Sequence, residues 1–444
     1  MNKDLTQGNV LKILIMFAIP YLLSSFLQKF YGMADLYIIG QYQTSASISA
    51  VSIGSQFMNM LTVMIIGLAM GATVHIGQSV GCKDEKEVKK TIGNTALLFI
   101  GISFALSIVL IFSVSFIVQM MSTPQEAVFE TNNYLRICFI GIPFICAYNV
   151  LSSIYRGLGD SQRPMYFIII SCFLNIILDF YFIGYLSMGA VGAALGTVIS
   201  QAMSSIIALF YLFKKSSIHL QFADFSINYQ TMRNILKVGI PIALQDGFIQ
   251  ISFLIITIIA NSRGLIPATS VGLVEKIISF MFLVPSAMLS ALSAMVAQNI
   301  GAKKYERAKA MLKYALFITL SFGMICCIVC QIIPHQLIGL FTHEQAVINM
   351  GAEYLKVYAF DCIFASVHFC FSGYFCGCGY SKISFIHNVI SILLVRIPGA
   401  YLASLLFPNT LLPMGLAAPI GSLLSSLICI GYYIHMKKYR LVGD

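Results

Sequence analysis

Charge is what this sequence has least of. Asp, Glu, Lys and Arg together make up 10% of its 444 residues, while 58% are hydrophobic. Soluble proteins carry roughly 25% charged residues, so an ordinary water-soluble domain is excluded. Apolar stretches follow one another along the chain, each about the 20 residues that a bilayer-crossing helix needs. A crossing segment must satisfy its own backbone, so helices are expected and strands are not. The opening residues, Met1 to Val10, lack a basic region and a cleavage motif. No removable signal peptide is expected.

Catalytic signatures are missing too. There is no HExxH, GxSxG or Walker pattern and no long polar domain. That counts against a membrane enzyme or a receptor. The twelve cysteines mostly sit in apolar stretches, as Cys326, Cys327 and Cys330 do, and none has zinc-ligand spacing in a polar loop. Cys376 and Cys378 are too close for a CxxC site. These thiols read as small apolar fillers. Of the seven histidines, His75 and His368 fall inside apolar stretches. Neither has a second His or Cys at ligand spacing on its own helix face. Both are expected to be buried and satisfied.

What is present is a repeat. Gln78 and Gly81 return 220 residues later as Gln298 and Gly301. Tyr134-Leu135 returns as Tyr354-Leu355, and Gly157, Gly159 and Ser161 return as Gly377, Gly379 and Ser381. Pro20 returns one residue out of step, as Pro241. Twelve spans are expected near 12–39, 48–74, 91–118, 130–152, 163–184, 189–213, 234–259, 268–297, 311–333, 351–375, 383–406 and 413–436. The longest polar stretch falls in the middle. The expected domains are therefore an N-terminal six-helix lobe (1–215), a linker (216–233) and a C-terminal six-helix lobe (234–444). Six spans per copy make the repeat parallel, with a pseudo-two-fold along the membrane normal. Almost every Lys and Arg outside the spans, from Lys3 to Arg440, falls on the side of the termini; Arg263 alone falls on the other. By the positive-inside rule both termini are cytoplasmic. The net charge of +10 is then a topology signal, not a nucleic-acid surface.

An ionisable residue inside a span is costly and so is a functional candidate. The basic ones are Lys29, Arg136, Lys276, Lys356 and Arg396; Lys29, Arg136 and Lys356 can also reach an interface by snorkelling. The deeper acids are Asp35, Asp179, Asp246, Glu275 and Asp361. Asn175 and Asp179 share one face of the fifth span, about 18 and 24 Å along it. Thr197 lies about 12 Å into the sixth span, and Asp35 sits in the outer third of the first. The first lobe can therefore gather Asp35, Asn175, Asp179 and Thr197, an oxygen set suited to a hard cation or a shared proton. The second lobe differs: Ile256 and Gly399 stand where Asp35 and Asp179 would repeat. Gln245, Asp246, Asp361 and Arg396 are its candidate cavity residues. Asp361 and Arg396 are expected as a buried ion pair, either a structural lock or a cavity element. Pro20 and Pro241 interrupt the backbone bonding of their helices. Either is a static kink, or a bend that neutralising Asp35 could bias.

Gly32-Met-Ala-Asp35-Leu-Tyr-Ile-Ile-Gly40 resembles the first-helix motif of multidrug and toxic compound extrusion (MATE) transporters. Asn175-Ile-Ile-Leu-Asp179 with Gly192-Ala-Ala-Leu-Gly-Thr197 resembles the fifth and sixth helices of the family's bacterial branch akin to the DNA-damage-inducible F protein. Arg156-Gly-Leu-Gly-Asp160, Gln298-Asn-Ile-Gly301, Phe360-Asp361 and Arg396-Ile-Pro398 are also similar to that branch. The resemblance covers essentially the whole chain. It implies an all-α integral membrane protein of two six-helix bundles. It also implies a secondary antiporter that exports cationic amphipathic drugs in exchange for protons or sodium. It assigns Asp35, Tyr134, Asn175, Asp179 and Thr197 to the proton or cation site, with sodium as the metal alternative, and makes Pro20 the bending proline. One departure stands out. The seventh helix reads Pro241-Ile-Ala-Leu-Gln-Asp246-Gly-Phe-Ile-Gln250, without the Glu that other branches use for a second-lobe cation.

The expectations are then specific. The protein is a drug exporter of the bacterial cytoplasmic membrane, monomeric, with small-molecule substrates and no nucleic-acid partner. It needs no cofactor beyond the coupling ion. The competing reading is a lipid-linked sugar or polysaccharide flippase of the same broad superfamily, which an acidic site disfavours. The 21 methionines suit a pliable pocket, although in a span they serve equally as packing.

Overall fold

The structure is a computed structural model that describes residues 4–215 and 220–438. Lys3, Ser216 and Arg440, cited above for charge or linker position, lie outside the described residues. The chain is a succession of helices, with no strand among the described residues. These are α1 (Val10–Tyr42), α2 (Ser45–Gly81), α3 (Glu85–Met120), α4 (Gln125–Gly157), α5 (Gln162–Asp179) and α6 (Gly189–Lys215). After a single 3-10 turn at Phe222–Phe225 come α7 (Tyr229–Asn261), α8 (Leu265–Met281), α9 (Leu283–Gly301), α10 (Tyr305–Ile332) and α11 (Pro334–Gly339). The chain ends with α12 (Gln345–Tyr358), α13 (Asp361–Gly377), α14 (Ser381–Ser391), α15 (Ile397–Leu406) and α16 (Leu412–Lys438).

Among the described residues, eleven spans are long and apolar enough to cross a membrane, with α8 and α9 forming one of them. The expected tenth span is not a single rod: α12 and α13 make it as a pair bent by 41°. Two spans also loosen into wider π turns, at Phe180–Tyr185 after α5 and at Ile392–Arg396 after α14.

The repeat is visible atom by atom. The turn after α2 puts Lys83 at φ 58°, and the turn after α9 puts Lys303 at φ 59°. In each, the next amide donates back across the helix end, Asp84 N to Ser79 O at 3.1 Å and Lys304 N to Asn299 O at 2.8 Å. This is the Schellman closure, which satisfies orphan carbonyls at the cost of a left-handed residue. Gly159 and Gly379 close the ends of α4 and α13 in the same way, at φ 88° and 86°. Local signals start the helices: Asp84 accepts from Glu87 N at 3.0 Å and caps α3.

Apolar burial gives helices little reason to associate in lipid, so close packing and side-chain hydrogen bonds have to hold them. Both devices recur in register. Thr73 donates to Ser153 O at 2.9 Å, and its counterpart Ser293 donates to Gly373 O at 3.2 Å. A Cβ on Gly157 would lie 2.9 Å from Thr73 O, and one on Gly377 would lie 2.8 Å from Ser293 O. Ser205 bonds Phe144 O at 2.9 Å, as Ser426 bonds Phe364 O at 2.9 Å.

By contacts the chain divides into two compact units, Met1–Leu5 with Met16–Ala243, and Thr6–Ile15 with Leu244–Asp444. The membership is exchanged at the ends. In the second unit, Lys304 Nζ donates to Thr6 O at 2.8 Å, and Arg307 donates to Gly8 O at 2.7 Å and Gln7 O at 2.8 Å. In the first unit, the segment leading into α7 lies on α3: Asn94 donates to Ser226 O at 3.1 Å and accepts from Asn228 N at 2.7 Å.

Candidate functional site

In the first unit, α5 supplies Asn175 and Asp179 one turn apart, α6 supplies Thr197, and α1 supplies Asp35. The four side chains converge, with Asp179, Asn175 and Thr197 all facing the Asp35 carboxylate. All but Thr197 are buried, with Asp35 at 5% exposure, Asn175 at 1% and Asp179 at 0%. Their polar atoms are orphaned: Asp35 Oδ1, both Asp179 oxygens, both Asn175 amide atoms and Thr197 Oγ1 have no hydrogen-bond partner. Neither carboxylate makes an ion pair among the described residues. Buried polar groups are normally satisfied, so such a cluster calls for an explanation. Two buried carboxylates without a cation demand a positive partner, either a proton or a small ion. The donor set is all oxygen apart from the amide nitrogen, which suits a hard cation as well as a proton.

Local backbone makes room for this cluster. Gly196 of α6 lies directly against Asp179, and a Cβ there would overlap its Oδ1. The helix loosens into the π turn Phe180–Tyr185 immediately after Asp179; such bulges recur at functional sites. Tyr134 is buried at 3% exposure, packs its ring where Gly54 leaves space, and also faces Asp35. Tyr31 faces Asp35 and the Gln201 amide. Tyr31, Gln201 and Gly196 were not marked as site residues by the sequence. Gly196 lay inside a quoted motif, but its contact with Asp179 depends on how α5 and α6 pack.

The second unit rearranges its four candidates. Asp361 and Arg396 are buried, at 0% and 8% exposure. Asp361 and Arg396 face each other electrostatically, as expected, but make no contact ion pair among the described residues, and both Asp361 oxygens lack a hydrogen-bond partner. Arg396 instead donates to the Tyr358 hydroxyl and lies 4.7 Å over the Phe253 ring. The phenol draws the guanidinium toward α12, and the aromatic face offers a second electrostatic partner. Glu275 of α8, whose Oε2 accepts from Thr257 at 3.2 Å, also faces Arg396. Asp246 stands apart, half-buried, with Cys376 as a neighbour. Gln245 is buried and its Oε1 has no partner. The acids that face Arg396 are therefore Asp361 of α13 and Glu275 of α8, not a residue of the seventh span.

Of the two histidines expected to be buried and satisfied, His368 is buried at 6% exposure, whereas His75 is only partly buried and has an unpartnered nitrogen. His368 does have a histidine neighbour, His387, but on the next span, with ring centroids 5.7 Å apart. His387 bonds Ser372 at 2.9 Å, while its Nδ1 and that of His75 have no partner. Spacing along one helix cannot reveal a pair that spans two. Arg136 and Lys356 occupy repeat-related positions and are exposed, as snorkelling side chains would be. Pro20 and Pro241 lie inside α1 and α7, each of which runs through its proline.

Comparison with known proteins agrees with this architecture. The MatE family pattern matches residues 20–181 and again residues 241–402. A Bacillus subtilis protein named as a probable multidrug resistance protein, YpnP, is 29% identical over 97% of this chain and 96% of its own. The multidrug export protein MepA of Staphylococcus aureus is 27% identical over 99% of this chain and 96% of its own. Among solved structures, a multidrug resistance MATE family transporter of the MOP superfamily in its outward-facing conformation superposes with a TM-score of 0.90 at 21% identity, covering 99% of this chain and 98% of that one. At that identity the likeness speaks for the fold. The two family matches fall one on each copy of the internal repeat and together take in most of the sequence, so the chain belongs to the MatE family.

Proposed function

We propose that this protein is a multidrug exporter that moves amphipathic, cationic drug-like molecules out of the cell in exchange for protons or sodium by alternating access. Multidrug export is what the name of one relative states, and probable multidrug resistance is what that of another states. Exchange is supported by one observation above all: the unpartnered oxygens of Asp35, Asn175, Asp179 and Thr197. In this reading the carboxylates hold a cation or a proton in one state and lose it in another. Occupation by the ion neutralises the cluster and removes its pull on a cationic substrate. Substrate and ion then oppose each other, which is the requirement for exchange. The bacterial cytoplasmic membrane, cytoplasmic termini and a monomeric chain complete the reading.

The test is uptake of a fluorescent cationic dye into everted membrane vesicles, with a proton or a sodium gradient imposed separately. Asp35→Asn should abolish gradient-driven uptake while the protein stays folded. Uptake that survives in the variant at the wild-type rate would refute the assignment. Folded wild-type protein that moves no dye under either gradient would favour the lipid-linked sugar reading.

A further inference from the structure

Two buried histidines of the second unit take no part in the exchange described above. His368 of α13 and His387 of α14 meet edge to face, with ring planes at 62°. His387 is fully buried, bonded through Nε2 to Ser372, and its Nδ1 has no partner. A buried orphan nitrogen calls for an explanation. The repeat shows whether packing demands histidine here. In the first unit the corresponding positions hold Tyr148 and Phe167, both buried. Their surroundings match: Ser204 donates to Phe167 O at 2.9 Å, as Ser425 donates to His387 O at 3.2 Å. Other aromatic rings therefore fill the same slot, and packing alone does not select imidazole. What imidazole adds is a nitrogen whose ordinary titration lies near neutral pH.

The charges nearby give the second unit a use for that nitrogen. Arg396 faces His368 from the π turn, and the carboxylates of Asp361 and Glu275 face Arg396. The first unit has no such acids: Gly141 and Ser55 stand where Asp361 and Glu275 would repeat. Two carboxylates against one guanidinium leave one negative charge over, and a charge inside a span needs a partner. One proton on the histidine pair balances the group. A second proton would set two imidazolium rings side by side, where they repel strongly at low dielectric. Among the described residues no other charged or titratable group faces either ring. α9, α10 and α16, which pack on α13, present none. Tyr358 of α12 turns to Arg396, and Asp246 of α7 faces Cys376 instead.

We infer that His368 and His387 form a second proton-binding site, separate from Asp35, that takes up one proton as a pair and exchanges it during the transport cycle. The pair titrates as one unit, because a proton on either ring opposes a proton on the other. The proton comes from water on one side of the membrane and returns to water on the other, so no further reactant is needed. Proton binding stands on the second unit alone; only its exchange during transport rests on the exporter reading.

The test uses the full chain in nanodiscs of zwitterionic lipid. The double variant His368→Tyr with His387→Phe installs the residues that the first unit carries in the same slot. Protons taken up between about pH 8 and about pH 5, the range in which imidazole titrates, are counted by potentiometric titration. The wild type should take up one proton more than the double variant. No difference would make the histidines permanently neutral packing, and a difference of two would make them independent groups; either result overturns the inference. Nitrogen NMR of labelled imidazoles in the wild type gives the same answer if the double variant does not fold. The signals lost in His368→Tyr and in His387→Phe should shift together with one midpoint, and signals that stay fixed across the range overturn the inference. Exchange is read in everted vesicles by counting ethidium and protons moved. The double variant should move one proton fewer per ethidium, and an unchanged ratio overturns the exchange. A wild type that moves no ethidium would sink the exporter reading and leave the proton count of the pair as it is.

Discussion

Gly196→Ala is the sharpest test of the first-unit cluster. The substitution adds one methyl group, and in a helix alanine is intrinsically better than glycine by about 1 kcal/mol. On propensity alone the variant should be the more stable. The structure predicts the reverse. The new methyl would overlap Asp179 Oδ1 and sit 3.5 Å from Asn175 Nδ2, so the Asp179 carboxylate has to swing away or α6 has to back off. Overpacking of this kind costs about 1–3 kcal/mol. It offsets the propensity gain and leaves a net loss of up to about 2 kcal/mol. The larger effect should fall on function, since the carboxylate that moves is one of the two facing each other. Gradient-driven dye uptake in everted vesicles should fall at least about tenfold, the factor that corresponds to roughly 1.4 kcal/mol. Gly101→Ala is the control: that position has nothing within 4 Å, so the variant should keep wild-type uptake and melt no lower. Wild-type uptake and unchanged melting for Gly196→Ala would refute the placement of α6 against Asp179.

Two further outcomes follow from the packing. Gly157→Ala and Gly377→Ala each push a methyl to within 2.9 Å and 2.7 Å of the nearest atoms of Ile76 and Val296, so each should lower unfolding stability by about 1–3 kcal/mol; thermal melts that separate the two by more than that range would break the equivalence of the halves. Tyr358→Phe removes the acceptor of the buried Arg396 and should cost about 1.5–3 kcal/mol; an unchanged melt would mean that the Phe253 face and the neighbouring acids already hold the guanidinium.

Much of this architecture was legible because its signals are local or periodic. Helix length follows from apolar runs, and part of the repeat follows from glycines at turns whose backbone needs them, since Gly159 and Gly379 both take a positive φ. The convergence of Asp35, Asn175, Asp179 and Thr197 could be approached through helix rise, since depth is nearly a one-dimensional property. Lateral neighbours are not. Asp246 sat at a plausible depth for the second unit, yet Glu275 on the adjoining span joins Asp361 in facing Arg396. The His368–His387 contact joins α13 to α14, and the Arg396–Tyr358 bond joins the middle of the eleventh span to α12. These depend on the azimuth of each helix, which apolar composition on every side leaves undetermined. The π turn ending at Arg396 rotates that side chain further from the face a regular 3.6-residue count would assign.

The exchanged ends have a consequence for biosynthesis. Thr6, Gln7 and Gly8 are made nearly three hundred residues before their partners Lys304 and Arg307. At a translation rate of about 5–20 residues per second, the opening segment waits roughly 15–60 s for its binding site to exist. The entry to α7 has no such delay, because Asn94 is already in place when Ser226 and Asn228 emerge. The first unit can thus close behind the ribosome in sequence order, whereas the second closes only when the growing chain returns to a segment made some three hundred residues earlier.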